Sequence, residues 1–215
     1  MRVGLFGGSF NPIHLGHLRA AEEDREALSL DLIYFIPAAT PPHKPDGGLA
    51  PAEHRLQMVR IATRGNRHFM VSDAEIRRSG RSYTIDTVRH FLSTKRGQAE
   101  LHLIMGADQF AELATWREAE ELVRLCDLAV HTRQTEEGDG ATRSSLAPIK
   151  HFGYIRAEDH YVHPSGHTLS FLATTFLPIS ATLIRQKLAA RESVRYLVPD
   201  DVADYIQRHG LYASL

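Results

Sequence analysis

An internal disulfide is closed to this sequence, because its 215 residues contain one cysteine, Cys126, in an apolar stretch where a buried thiol is the default. Long apolar runs are missing as well: none reaches the roughly 18 residues that a membrane-crossing helix needs. The chain opens Met1-Arg2-Val3-Gly4 and runs straight into a strand pattern, without the basic region, apolar core and cleavage site of a secretory leader. Cytoplasm is the expected compartment. Charge of one sign is absent too, since 25 Lys+Arg stand against 26 Asp+Glu for a formal net charge of -1. That balance removes the broad electrostatic case for a nucleic-acid or membrane-surface partner, though not for a local basic site. What remains is ordinary: 43% hydrophobic and 24% charged residues, enough to build a core and too apolar for a disordered chain.

Strand and helix patterns alternate. Strands are predicted at Val3–Phe6, Leu32–Ile36 (stopped by Pro37), Phe69–Val71, Leu101–Met105, Leu128–Val130 and Phe171–Leu177, the last stopped by Pro178. Helices are predicted at Leu15–Leu28, Ala52–Ala62, Ile85–Leu92, Ala119–Leu125, Ala181–Ala189 and Asp201–Arg208, with Gly210 as the final stop signal. Repeated β-then-α order with short connections implies one α/β domain over 1–215, a Rossmann-like doubly wound parallel sheet with helices on both faces and helices at the C-terminal end. Residues 134–170 read as a loop-rich insertion, and the polar, aperiodic stretch Gln134–Pro148 as a mobile surface loop. His160, His163 and His167 would share one helical face, but Pro164 and Gly166 break such a helix, so a solvated loop is expected there and no metal site. In sheets of this kind, ligands bind beyond the carboxyl ends of the strands.

The first strand-to-helix turn reads Gly7-Gly8-Ser9-Phe10-Asn11-Pro12-Ile13-His14-Leu15-Gly16-His17. It lacks the three spaced glycines of a dinucleotide fingerprint and the lysine of a P-loop. Gly7 and Gly8 allow close approach of a ligand to the backbone, and Gly16 would leave a flat patch for a base or ribose. His14 and His17, three apart, put both imidazoles on one side of a helix start whose amides add partial positive charge. Two imidazoles with an amide cluster suit a polyphosphate, which would favour the protonated rings. Lys44, in a Pro-rich loop, has the reach for a phosphate or is merely solvated. Ser180 and Thr182, with Arg185 a turn beyond Thr182, form a second anion site at a helix start, or Ser180 simply caps that helix. Thr84 would cap the helix from Ile85 and offer its amides to a carboxylate; Trp116 is a rim ring or core filler; Asp108 follows Gly106 at a strand's carboxyl end.

With these motifs, the sequence resembles the nucleotidyltransferases whose signature is His-x-Gly-His and, more narrowly, the bacterial nicotinate-nucleotide adenylyltransferase family. The resemblance runs along almost the whole chain through Pro41-Pro42-His43-Lys44, His54-Arg55-x-x-Met58 and Ser82-Tyr83-Thr84-Ile85-Asp86-Thr87. Gly106-Ala107-Asp108-Gln109-Phe110 with Trp116, Ile179-Ser180-Ala181-Thr182-x-Ile184-Arg185 and Tyr196-Leu197-Val198-Pro199 continue it, and His209-Gly210-Leu211-Tyr212 ends it. Asn11 and Arg117 stand where the family usually has Asp and often Tyr, and residues 135–176 match it poorly.

The resemblance implies attack by the 5′-phosphate of nicotinate mononucleotide on the α-phosphorus of ATP, giving nicotinate adenine dinucleotide and pyrophosphate in NAD synthesis. By resemblance, His14, His17, Lys44 and Arg185 carry the catalysis. ATP would lie against Gly7, Gly8, Ser9, Phe10, Gly16, Gly106, Asp108 (on the ribose), Ile179, Ser180 and Thr182 as well. The mononucleotide would meet Ser9, Lys44, Tyr83, Thr84, Trp116 (stacked on the pyridine) and Arg117. Magnesium is expected with ATP, held mainly by phosphates, with no side-chain ligand assigned. Nicotinamide mononucleotide as preferred or equal substrate, and a non-catalytic nucleotide sensor, are the alternatives; a homo-oligomer is left open.

Overall fold

The computed structural model describes residues 1–40, 48–78, 80–94, 98–133 and 143–213. Eight strands form one sheet: β1 Arg2–Gly8, β2 Leu32–Pro37, β3 Phe69–Val71, β4 Glu100–Gly106, β5 Asp127–Arg133, β6 Ile155–Arg156, β7 Tyr161–Val162 and β8 Thr168–Thr174. Their order is β3-β2-β1-β4-β5-β8-β7-β6, parallel from β3 to β8 and antiparallel only through β7 and β6. The order reverses between β1 and β4, so the crevice for a ligand opens at their carboxyl ends, after Gly8 and Gly106.

Nine helices lie around this sheet among the described residues: α1 Leu15–Ala27, α2 Ala52–Thr63, α3 Ala74–Arg77, α4 Thr84–Thr94, α5 Ala107–Ala111, α6 Ala119–Leu122, α7 Arg143–His151, α8 Ala181–Ala189 and α9 Asp200–Arg208. Period-two alternation sorts the strand side chains into two cores. Val3 and Leu5, Leu101 and Leu103, Leu128 and Val130 face α4–α7, meeting Val88, Phe110, Leu122 and Phe152. Phe6, Ile104 and Ala129 face the other way, toward Ala21 of α1, Met58 of α2, Ile184 of α8 and Ile206 of α9. Both faces are thus covered, and strands buried on both sides are continuously apolar, as the sequence pattern implies. None of the described helices is long and apolar enough to cross a membrane.

Five expectations are corrected. Residues 143–148 belong to a helix, not a loop: Ile149, Phe152 and Tyr154 at and beyond its end are buried in the first core, and that docking outweighs Pro148 within α7. Residues 134–142 lie outside the described residues. The last long strand runs from Thr168 to Thr174, pairing Leu128 with Leu169 and Arg133 with Thr174, rather than from Phe171 to Leu177; Thr175 leaves the ladder because its N–H is held by Glu23 Oε2 at 2.6 Å. The helix from Ala119 stops at Leu122, and α4 begins at Thr84 itself, so Thr84 is inside the first turn instead of capping it. The three histidines near 160–167 flank a β-turn and are not simply solvated: His163, 6% exposed, has its Nδ1 2.7 Å from the Ser165 hydroxyl, while His160 and His167 stand by Asp159 and Asp127.

Candidate active site

The carboxyl ends of β1 and β4 open into a cavity of about 1440 Å³. That exceeds the space one drug-sized ligand takes, roughly 300–1,000 Å³, and suits two nucleotides. After β1, Phe10 turns the chain in the left-handed region, φ 43°, and His14 in extended conformation precedes α1. The loop is fixed from below. Arg55, wholly buried on α2, donates to the carbonyls of Ser9 (2.8 Å), Ala39 (3.0 Å) and Ala50 (2.8 Å). Asn11 donates to the Gly48 carbonyl and accepts from the Ala50 N–H and the Tyr212 hydroxyl, tying the loop to the C-terminal segment. Arg55 and Asn11 carry no role in the sequence reading; an arginine among apolar helix positions was the available signal.

His14 and His17 come together as expected, their rings stacked at 3.6 Å between centroids and both lining the cavity. The protonated form is expected of the phosphate-bound site, not of the ligand-free one. Burial pushes His14 down to about 4, because the charged ring would lose its water. The His14 N–H donates to His17 Nδ1 at 3.2 Å, so that nitrogen must be bare and Nε2 carries the proton of the neutral ring. The ligand-free site therefore presents neutral imidazoles. Gly16 lines the cavity, and a side chain there would meet His14 Nδ1 at 3.1 Å, so that ring borders the space over Gly16. Over Gly8, likewise, the Phe10 ring lies 3.2 Å from where a Cβ would be, whereas nothing lies near Gly7.

The start of α8 completes this side. Ser180 Oγ accepts from the Leu183 N–H at 3.1 Å, so it does cap the helix while lining the cavity with Ile179 and Thr182. Arg185 donates to the Asn11 carbonyl at 2.8 Å and to Thr182 Oγ1 at 3.4 Å, which aims its guanidinium across the mouth of the first loop. A second group of wall residues is Tyr83, Thr84, Trp116 and Arg117. The Arg117 guanidinium rides 4.7 Å above the Tyr83 ring and pairs with Glu118 at 3.5 Å, and Trp116 is half-buried against the first core. Gly106, Asp108 and Gln109 sit at the end of β4, with the Gly106 N–H bound by Gln109 Oε1 at 3.1 Å. A Cβ on Gly106 would strike Asp108 Oδ1 at 2.5 Å, so only glycine lets that carboxylate fold back over the turn. Ser9 also lines the cavity; Lys44 lies outside the described residues.

The cytidylyltransferase-like family model matches residues 5–187. A probable nicotinate-nucleotide adenylyltransferase of Geobacter metallireducens is 44% identical over 213 residues, 99% of this chain and 98% of that protein. Another, of Citrifermentans bemidjiense, is 45% identical over 220 residues, covering 100% and 99%. The chain belongs to the nicotinate-nucleotide adenylyltransferase family. Among solved structures, Plasmodium falciparum nicotinic acid mononucleotide adenylyltransferase complexed with NaAD superposes with TM-score 0.75 at 18% identity, covering 100% of this chain and 98% of that one.

Proposed function

We propose that the protein joins ATP to nicotinate mononucleotide, forming nicotinate adenine dinucleotide and pyrophosphate. The observation that carries this reading is the meeting in one cavity of two walls of different chemistry. One holds the stacked His14–His17 pair, the α8 start and Arg185; the other holds Tyr83, Thr84, Trp116 and Arg117. The first suits phosphates, the second a flat ring bearing a carboxylate. Full-length relatives named for the same reaction support it.

In this reading, the mononucleotide phosphate, mostly dianionic at neutral pH because its second pKa is near ~6, attacks the α-phosphorus of ATP. A P–O bond forms to that oxygen as the bond to pyrophosphate breaks. No general base is needed. Catalysis consists of holding two anions in line and neutralising the leaving group. His17 Nε2–H and the Arg185 guanidinium supply donors to ATP, with Gly7 allowing close approach, while Asp108 takes ribose hydroxyls. Trp116 stacks on the pyridine ring. The α4 first-turn amides at Thr84 and the nearby Arg117 charge receive its carboxylate. Lys44 is assigned to the phosphates on the sequence pattern alone. ATP enters as its magnesium complex. In this reading the ion is held mainly by phosphates and water. The setting proposed is the cytoplasm.

Purified protein given MgATP and either nicotinate or nicotinamide mononucleotide should release pyrophosphate and form the dinucleotide, with kcat/KM higher for the acid. Equal or better use of the amide would reject the substrate assignment, and binding without turnover would favour a sensor.

A further inference from the structure

Beneath the cavity lies a pair of titratable groups for which the reaction above has no use. His131, on the Ala129 face of β5, lines the cavity with a side chain 14% exposed; Asp24, on α1, is 0% exposed. Asp24 follows His17 by seven residues, two turns along the same face of the helix. The Phe6 ring packs on both imidazoles, 5.6 Å from His131 and 6.1 Å from His17. His131 Nε2 and Asp24 Oδ2 are 3.4 Å apart. Among the described residues, neither Asp24 oxygen and neither His131 nitrogen has a hydrogen-bond partner.

Such an arrangement is costly. A buried, unpaired charge is strongly disfavoured, and well-packed apolar residues in its place are usually no less stable. Burial pushes the Asp24 carboxyl up to about 8 and His131 down to about 4, so with the cavity empty the pair is a carboxylic acid beside a neutral imidazole. One proton is shared between Asp24 and His131 Nε2, the ring's other proton staying on Nδ1. Two further groups bear on where that proton sits: Glu23 on α1, itself bound by Arg19 and Thr175, raises the proton affinity of both partners, while Asp108 on α5 favours a positive His131. β1 contributes Phe6, which is uncharged. A polyanion in the cavity adds to the same side, since His131 lies at the cavity wall and Asp24 lies behind it.

We propose that Asp24 and His131 are a proton-sharing positioning pair for the nucleoside triphosphate, neutral in the empty site and charge-separated in the filled one. On binding, the Asp24 O–H bond breaks and an N–H bond forms at His131 Nε2; no proton comes from solvent and net charge is unchanged. The two atoms close toward the about 2.8 Å of a charge-assisted hydrogen bond. The imidazolium then attracts the triphosphate through a low-dielectric wall, without touching it. This inference rests on the assignment of the cavity to ATP.

The test is the protonation state of His131 in the whole protein, read from ring ¹⁵N chemical shifts with and without an α,β-methylene ATP analogue. The expected result is a neutral pattern when free and an imidazolium pattern when bound, with Asp24→Asn staying neutral in both. Asp24→Asn should melt no lower than the parent, raise KM for ATP about 10-fold, the scale of one lost favourable charge, and leave the mononucleotide KM unchanged. A His131 ring in the same state with and without bound analogue overturns the proposal, as does parental ATP KM in Asp24→Asn. If that variant fails to fold, the parent spectra alone decide. If the analogue charges His131 but the protein forms no dinucleotide from MgATP and nicotinate mononucleotide, only the reaction assigned above is defeated. An analogue that does not bind defeats both.

Discussion

The His14 amide proton settles what His17 can do. Because it rests on His17 Nδ1, the ring meets the cavity with a neutral Nε2–H rather than a full positive charge, and a second proton would break the bond that orients it. A fixed neutral donor stabilises charge that develops on the transferring phosphoryl oxygens without first trapping the ground state. His17→Ala should therefore lower kcat about 10²-fold while the mononucleotide KM stays near parental, the scale of one lost donor at a reacting oxyanion. Steady-state rates with each substrate varied in turn check this, and an unchanged kcat would remove His17 from the chemistry. Trp116 has a separate effect. Trp116→Ala should cost about 1–3 kcal/mol of mononucleotide affinity, as lost base–aromatic stacking does. Calorimetric titration of each nucleotide separates the cases, because a loss confined to ATP would place the ring in the wrong half of the cavity.

At the scale of elements, the first loop is held as much by what lies under it as by its own sequence. Arg55 reaches from α2 to three carbonyls of three separate segments, and burial lowers its pKa from the usual guanidinium value without removing its charge. Arg55→Leu should leave those carbonyls unpaired and cost about 3 kcal/mol or more of stability, seen as a lower denaturant midpoint at unchanged m. A midpoint within error of the parent would show that the loop holds itself. Such long-range anchors explain what was and was not legible in the chain. The strand Phe69–Val71 and the helix Ala181–Ala189 were readable to the residue, because apolar spacing, Pro178 and the Ser180 cap all act locally. The His14–His17 pairing was legible from the three-residue separation at a helix start, although His14 stands before the helix in extended conformation and not in its first turn. The end of β8 did not, since Thr175 is drawn off the ladder by Glu23 from a distant helix, and α7 did not, since its order comes from docking Phe152 into a core formed elsewhere. The left-handed Phe10 and the Asn11 anchor to Tyr212 were equally hidden, both depending on partners far along the chain.

For the molecule as a whole, the buried groups of the cavity floor fix how stability responds to pH. His14 is held down to about 4 from an ordinary 6.5, and His131 likewise. Between those values the unfolded chain binds protons that the folded chain refuses, so their contribution is lost as pH falls from 6.5 toward 4. Asp24 acts in the opposite sense. Raised from 3.8 to about 8, it keeps a proton in the fold that the unfolded chain has released, so stability declines as pH rises through that window. Glu75, also raised by burial, adds to this decline. Where the windows overlap, Asp24 and His131 largely cancel, leaving His14, together with His102 and His163, which burial also lowers, to set the acid-side slope. Above 6.5 the raised carboxyls set the slope, Asp24 contributing at most about 1.4 kcal/mol per pH unit. The ligand-free protein should therefore be most stable near pH 6.5. Denaturant unfolding at pH 5, 6.5 and 8 checks the maximum, and Asp24→Asn should flatten the arm from 6.5 to 8 while leaving the protein more stable at pH 8 than its parent. Superimposable profiles for parent and variant would mean that Asp24 is ionised in the fold at neutral pH, contrary to the cost of leaving a carboxylate without a hydrogen bond inside the second core.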